Sequence, residues 1–311
     1  MKKKKFLITG GTGFIGSNIS ELLVSKNHKV KIYDNNFRKS VKKIKKFKKI
    51  KYIKGDIRNK KKLDIAMKNT DAVIHLAYIN GTKYFYSKPI LVLDVGIKGI
   101  LNVIESCIKN KVKELYLASS SEVYQTPKKI PTDEYETLKI PDVYNPRYSY
   151  AGGKILTELL GINYGKKYFK KLVIFRPHNV YGANMGYEHV IPEFIKRFKN
   201  LKGKNFKIQG SGNEIRSFIY IKDFINAFNL VLNRGRHLNI YNIGTSEKIK
   251  IKDLAFKLSK ILKKQIILKK TSLTKGSTKI RVPNVNKIKK LGFKPKFNLS
   301  EGLKDILRKY W

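Results

Sequence analysis

Cysteine is nearly missing: Cys107 is the single one in 311 residues, and it sits inside a helical pattern, "LNVIESCIKN". One thiol closes no disulfide within a chain, and the five histidines show no metal-ligand spacing around it. A disulfide scaffold and a structural zinc site are therefore excluded, and no metal is expected. Long apolar runs are missing as well. None approaches the roughly 20 residues that a bilayer-spanning helix needs. "MKKKKFLITGGTG" reaches its glycines before a secretory apolar core can form. The expectation is a cytoplasmic protein with no membrane partner, and no internal repeat is visible. Acidic residues are scarce: 22 Asp plus Glu stand against 68 Lys plus Arg, a formal net charge of +46. Such an excess ordinarily points to nucleic acid. Here the lysines are spread over nearly every surface segment, as in "KKIKKFKKIKYIK" (42–54) and "KLSKILKKQIILKK" (257–270), instead of forming one stripe. That distribution reads as solvated lysine faces, so no specific nucleic acid is expected, although the field would attract a phosphorylated substrate.

What the chain does contain is regular alternation. Short β-rich runs, "KFLIT" (5–9), "VKIY" (30–33), "KYIKGD" (51–56), "DAVIHLA" (71–77), "ELYLAS" (114–119) and "LVIFR" (172–176), are separated by helix-length stretches near 14–26, 60–69, 89–110 and 149–168. Strands that are apolar throughout and alternate with helices predict an α/β fold, a doubly wound parallel sheet covered on both faces. Pro127, Pro131, Pro141 and Pro146 break up 120–147, a long loop after a strand's carboxyl end, where such folds place ligands. Beyond about residue 177 the alternation weakens into a smaller region. The expected division is 1–177 for a cofactor domain and 178–311 mainly for substrate, with parts of about 217–243 returning to the first.

Directly after the first strand comes "TGGTGFIGSNI", in which Gly11, Gly13 and Gly16 satisfy G-x-G-x-x-G while Gly10, Gly13 and Gly16 satisfy G-x-x-G-x-x-G. The run follows a strand, opens a helix and is succeeded by Asp34 at the end of the second strand. That context predicts a dinucleotide site: backbone amides around Gly10, Gly13, Phe14, Ile15 and Gly16 approach a pyrophosphate at the positive end of a helix, and Asp34 accepts the adenosine ribose hydroxyls. A carboxylate there repels a 2′-phosphate and favours NAD, although Arg38 and Lys39 stand nearby. "GDIR", with Asp56 and Ile57, is a candidate for the adenine, and "HLAY", with Leu76 and Ala77, for the pyrophosphate.

In "YNPRYSYAGGK" (144–154), three tyrosines precede one lysine. A helix advances about 100° per residue, so only Tyr150, four positions before Lys154, shares its face. The apolar run Ile155, Leu156, Leu159, Leu160 and Ile162 has helical periodicity, and Pro146 marks a start, which puts the pair in a first turn.

Together "TGGTGFIG", "SSSEVY" (119–124) and Tyr150-x-x-x-Lys154 resemble the extended short-chain dehydrogenase/reductases that modify nucleotide sugars, the NAD-dependent epimerase/dehydratase family. The likeness runs on through "RPHNVYG" (176–182), "GSGNEIRSFIYIKDF" (210–224), "YNIGT" (241–245) and "RVPNVNKIKKLGFKP" (281–295). The resemblance implies a Rossmann domain holding NAD, a UDP-glucose 4-epimerase-like activity on a nucleotide-diphosphate sugar through a 4-keto intermediate, and a homodimer. It makes Tyr150 the base that takes the sugar hydroxyl's proton, and Lys154 the cation that lowers its pKa and bonds the nicotinamide ribose. An ammonium about 4 Å away, at an effective dielectric near 20, supplies roughly the 4 kcal/mol that shift requires. Ser120 takes the bridging Ser/Thr position. Asn179, Arg216 and Arg281 take substrate-binding positions, the arginines suiting a diphosphate, whereas Arg176 reads as structural. Glu122 occupies the slot in which 4,6-dehydratases and UDP-glucuronate decarboxylases often carry a glutamate, so both remain alternatives. Ser121 stands where dTDP-glucose dehydratases have aspartate, which disfavours that subclass. The remaining alternative is a nucleic-acid-binding protein on a retired dehydrogenase fold, and the retained Ser120, Tyr150 and Lys154 argue against it. Two departures stand out: "AGG" where the family is bulkier, with room for another segment to approach, and Asp94 where the family has asparagine.

Overall fold

The computed structural model describes residues 3–38, 40, 44 and 49–310, with backbone alone for 309 and 310; Lys39 and most of 42–48 lie outside the described residues. Seven strands form a parallel sheet in the order Asn239–Ile243, Lys171–Pro177, Glu114–Ala118, Ala72–His75, Lys5–Thr9, Lys29–Asp34, Ile50–Lys54. Val73, Ile74, Leu115, Leu117, Val173 and Ile174 are fully buried along its centre, as strands covered on both faces must be. The chain runs outward from Lys5–Thr9 through the second and third strands, then returns to the other side of the first. Its switch point therefore lies between Lys5–Thr9 and Ala72–His75, whose carboxyl ends are tied by Thr9 Oγ1 and His75 Nδ1 at 2.8 Å. Burial holds His75 neutral, at about 3.

Six strands match the expected runs to within a few residues. The seventh, "NIYNI", carries asparagine at 239 and 242 and lacks the continuous apolar signal of a central strand. Helices Phe14–Ser25, Lys60–Met67, Pro89–Lys109 and Tyr148–Tyr168 stand where the spacing predicts them, and a short helix, Thr82–Ser87, was not expected.

The chain divides into two compact units. One comprises 1–123, 140–176 and 228–241; the other comprises 124–139, 177–227 and 242–311. The first holds most of the seven-stranded sheet. In the second, Ile249–Lys250, Ile215–Arg216 and Ile280–Arg281 form a small sheet, and Ile267–Thr271 pairs with Asn205–Gln209. Phe194, Phe198 and Phe206 form part of its core, the last two stacked at 4.3 Å. Among the described residues no helix is long and apolar enough to cross a membrane, and no group of three His, Cys, Asp or Glu is placed to hold a metal.

Candidate active site

The glycine turn caps the switch point. Gly10 has a φ of +73°, and a Cβ there would lie 2.6 Å from the Ala77 nitrogen, so both conformation and space demand glycine. Leu76 donates its amide to the Thr9 carbonyl at 3.0 Å, which presses "HLAY" against the turn. Helix Phe14–Ser25 starts from Gly13 with no side-chain cap, leaving its first amides to an anion. Asp34 reaches over the same turn: its carboxylate accepts from the Thr12 amide at 3.0 Å and the Asn36 amide at 2.7 Å. Cradle, uncapped helix start and carboxylate fit a dinucleotide. Asp56 is more heavily engaged. Arg58 forks onto it at 2.9 and 3.1 Å, and Asn35 donates at 3.2 Å, so its pKa lies below the carboxylate range chiefly through the Arg58 hydrogen bonds. Arg58 also reaches Asp94 at 2.6 Å, which gives the departure at 94 a partner. Arg38 donates to the Asn80 carbonyl and stacks over Tyr84, and is thus occupied.

Helix Tyr148–Tyr168 carries both Tyr150 and Lys154. Tyr144 is 93% exposed and points away, whereas Tyr148 and Tyr150 are buried. Tyr150 stacks on Phe85 at 4.8 Å and meets Tyr78 edge-on at 5.0 Å. The Lys154 ammonium lies 5.8 Å from the Tyr150 ring centre, closer still to Tyr78 at 4.1 Å, and donates to the Ala118 carbonyl at 2.7 Å. Full burial lowers Lys154 to about 7, and the Glu158 carboxylate opposes that shift. Ala118 ends the strand that leads into Ser119, Ser120 and Ser121. Ser120 is buried, and its hydroxyl accepts the Glu122 amide at 3.2 Å. Glu122 is the second residue of the short 3₁₀ turn Ser121–Tyr124 and is half-buried.

Tyr78 explains the glycines. A Cβ on Gly153 would sit 1.9 Å from the Tyr78 hydroxyl, and one on Gly96 2.1 Å from it. The ring is thus wedged between helices Pro89–Lys109 and Tyr148–Tyr168, its hydroxyl buried with no partner among the described residues. Gly152 faces Ile140. The buried face of helix Tyr148–Tyr168 is made of Gly153, Lys154, Thr157, Glu158 and Gly161. Of the apolar residues in its sequence, Leu160 and Ile162 are half-buried against the core, Ile155 and Leu156 are half-buried, and Leu159 is 57% exposed. Beneath the site, Glu158 takes a forked pair from Arg176 at 2.8 and 2.6 Å and a hydrogen bond from the Ser119 hydroxyl. Arg176 is therefore part of the packing, as its sequence context suggested.

Asn179, Arg216 and Arg281 lie in the second unit. Asn179 donates to the Ser217 carbonyl at 2.8 Å. Arg281 and Arg216 face each other in register on paired strands, held by the Thr278 hydroxyl at 3.1 Å and the Thr278 carbonyl at 2.7 Å. A cavity of about 1020 Å³ elsewhere in the first unit opens at the amino ends of the first three strands. It is lined by eight lysines, Lys31 and Lys51 among them, and none of the candidate residues touches it.

A glycine-cradled switch point with a buried tyrosine and lysine is the arrangement of a nucleotide-cofactor enzyme of the Rossmann class. The chain belongs to the NAD dependent epimerase/dehydratase family, whose profile matches residues 6–244. The family uses NAD and modifies nucleotide sugars. The chain is 31% identical to a UDP-N-acetyl-alpha-D-glucosaminuronate decarboxylase of Bacillus cytotoxicus over 98% of its own length and 97% of the relative's. It is 30% identical to a dTDP-D-glucose 4,6-dehydratase of Dictyostelium discoideum, with 83% of this chain matching 62% of that protein. Among solved structures, a UDP-N-acetylglucosamine 4-epimerase from Methanobrevibacter ruminantium, in complex with UDP-N-acetylmuramic acid, superposes with a TM-score of 0.89 at 27% identity, over 99% of this chain and 98% of that one. Three different reactions are thus represented among similar proteins.

Proposed function

We propose that the protein is an NAD-dependent nucleotide-sugar 4-epimerase. The observation that carries the reading is the buried Tyr150 and Lys154 on one helix, with Lys154 bonded to the Ala118 carbonyl two residues before the buried Ser120. When bound, NAD supplies the hydride acceptor. Gly10, Gly13, Phe14, Ile15 and Gly16 would hold its pyrophosphate, Asp34 the adenosine ribose, Asp56 and Ile57 the adenine, and Leu76 and Ala77 the pyrophosphate wall. Tyr150 takes the proton of the sugar's 4-hydroxyl, Ser120 bridges that oxygen to Tyr150, and Lys154 favours the tyrosinate and bonds the nicotinamide ribose. Asn179, Arg216 and Arg281 hold the substrate, the arginine pair its diphosphate. The first unit is then the cofactor unit and the second the substrate unit. A cytoplasmic homodimer goes with this reading.

Glu122 keeps a second reading alive, because its amide bonds the Ser120 hydroxyl and its carboxylate is near enough to act on Tyr148. As a working base it would make the enzyme a dehydratase; a decarboxylase is the other member of this reading. Product analysis after turnover in heavy water separates them. The epimerase returns a sugar of unchanged mass with no deuterium at carbon. Solvent deuterium with loss of water, or release of carbon dioxide, would replace epimerase by the corresponding alternative.

A further inference from the structure

Arg147 immediately precedes helix Tyr148–Tyr168 and already has helical dihedral angles, φ −52° and ψ −35°. Residues three and seven positions on, Tyr150 and Lys154, therefore lie along the same helical stripe. Its side chain is 8% exposed, and its Nε is buried without a hydrogen-bond partner. Its backbone amide is satisfied by the Asn145 side chain at 3.0 Å, but no acceptor or ion-pair partner meets the guanidinium among the described residues. Neighbouring Tyr148 feels the Arg147 charge together with those of Asp142 and Glu122, yet neither carboxylate pairs with Arg147. The other described buried or half-buried arginines have acceptors: Arg38, Arg176, Arg197, Arg216 and Arg281 all do.

A buried guanidinium without a counter-charge is costly, and a planar fork on the helical stripe of Tyr150 and Lys154 suits a planar carboxylate. We propose that Arg147 receives the carboxylate of the substrate's sugar ring, so that the substrate class is a nucleotide-diphosphate uronic acid. This rests on the nucleotide-sugar reading above and specifies its sugar. Arg147 lies in the same compact unit as Tyr150 and Lys154, so the charge it would meet is one on the sugar itself. The ion pair also bears on the outcome of reaction. A 4-keto uronate is a β-keto acid, and loss of carbon dioxide would leave Arg147 unpaired again, so the pair favours keeping the carboxylate and completing epimerisation.

The base is fixed first, by titrating the NAD-loaded protein with UDP-, dTDP- and GDP-glucose in a calorimeter. The glucuronate of the best-bound base is then compared with that glucose in wild type and in Arg147→Gln. The wild type should bind the uronate about tenfold to a hundredfold more tightly, the scale of a charge-assisted hydrogen-bonded pair. Arg147→Gln should lose that advantage while its affinity for the glucose conjugate stays nearly unchanged. A uronate that binds no better than the glucose, or an advantage that survives Arg147→Gln, overturns the inference and leaves the nucleotide-sugar reading standing. Failure of all the nucleotide sugars to bind overturns both. Without ligand, Arg147→Met should melt at a higher temperature than wild type, since it removes an unpaired buried charge. A lower melting temperature would assign Arg147 to the fold and end the proposal.

Discussion

The start and the middle of helix Tyr148–Tyr168 treat buried charge in opposite ways. In its third turn Glu158 is fully engaged, by the Arg176 fork and the Ser119 hydroxyl. At its start Arg147 has no acceptor among the described residues, and between the two Lys154 has a carbonyl and the face of a ring. Satisfied buried charge is construction, whereas unsatisfied buried charge has a free-energy cost that only a ligand can return. Satisfaction therefore increases from the substrate side of the helix toward the packing beneath it, and the chemistry is expected where it is least complete.

The paired site should respond most strongly to mutation. Glu158→Gln leaves Arg176 buried without its counter-charge and should destabilise the protein by about 3–5 kcal/mol, read as a lower denaturation midpoint. A change of a few tenths would erase the contrast between the two sites. In the middle of the stripe, Gly153→Ala drives a methyl into the Tyr78 hydroxyl and should cost about 1–3 kcal/mol, as overpacking does. The same change in a Tyr78→Phe background should recover much of that loss, and a cycle without coupling would show that the wedge is not the constraint. The smallest effect concerns Lys154 itself. Burial lowers its pKa from 10.5 to about 7, so the unfolded chain holds this proton more tightly between those values. The resulting penalty is fully present below about pH 7 and fades as the pH rises toward 10.5. In the absence of ligand, Lys154→Met should therefore be more stable than wild type at pH 6.5 by a margin that narrows toward pH 10. A margin that widens with pH would mean that Lys154 is held charged.

Much of this was legible in the sequence, for definable reasons. The sheet's six continuous apolar strands announce themselves because both faces are covered, and Tyr150 was separable from Tyr144 and Tyr148 by helical spacing alone. Asp34 stands where the glycine turn requires a carboxylate. The strand Asn239–Ile243 was hidden by its asparagines. The apolar periodicity after Lys154 marked a helix correctly but not its buried side, which is glycine, threonine and charge. The doubled glycine of "AGG" signalled a close approach without naming Tyr78, 75 positions before Gly153, because the partner depends on tertiary packing. Arg147 was least legible. Its place one turn before Tyr150 was available from spacing, but its significance lies in partners it does not have, which only the folded chain reveals.

The central claim is that Tyr150, and not its buried neighbour Tyr148, takes the proton of the sugar hydroxyl. Its most direct test is the turnover of Tyr150→Phe and Tyr148→Phe on the nucleotide sugar that binds best, with NAD affinity measured alongside. Tyr150→Phe should turn over at least about a hundredfold more slowly, the scale of a lost acid-base group, with NAD affinity nearly unchanged. Full activity of Tyr150→Phe together with collapse of Tyr148→Phe would contradict the account.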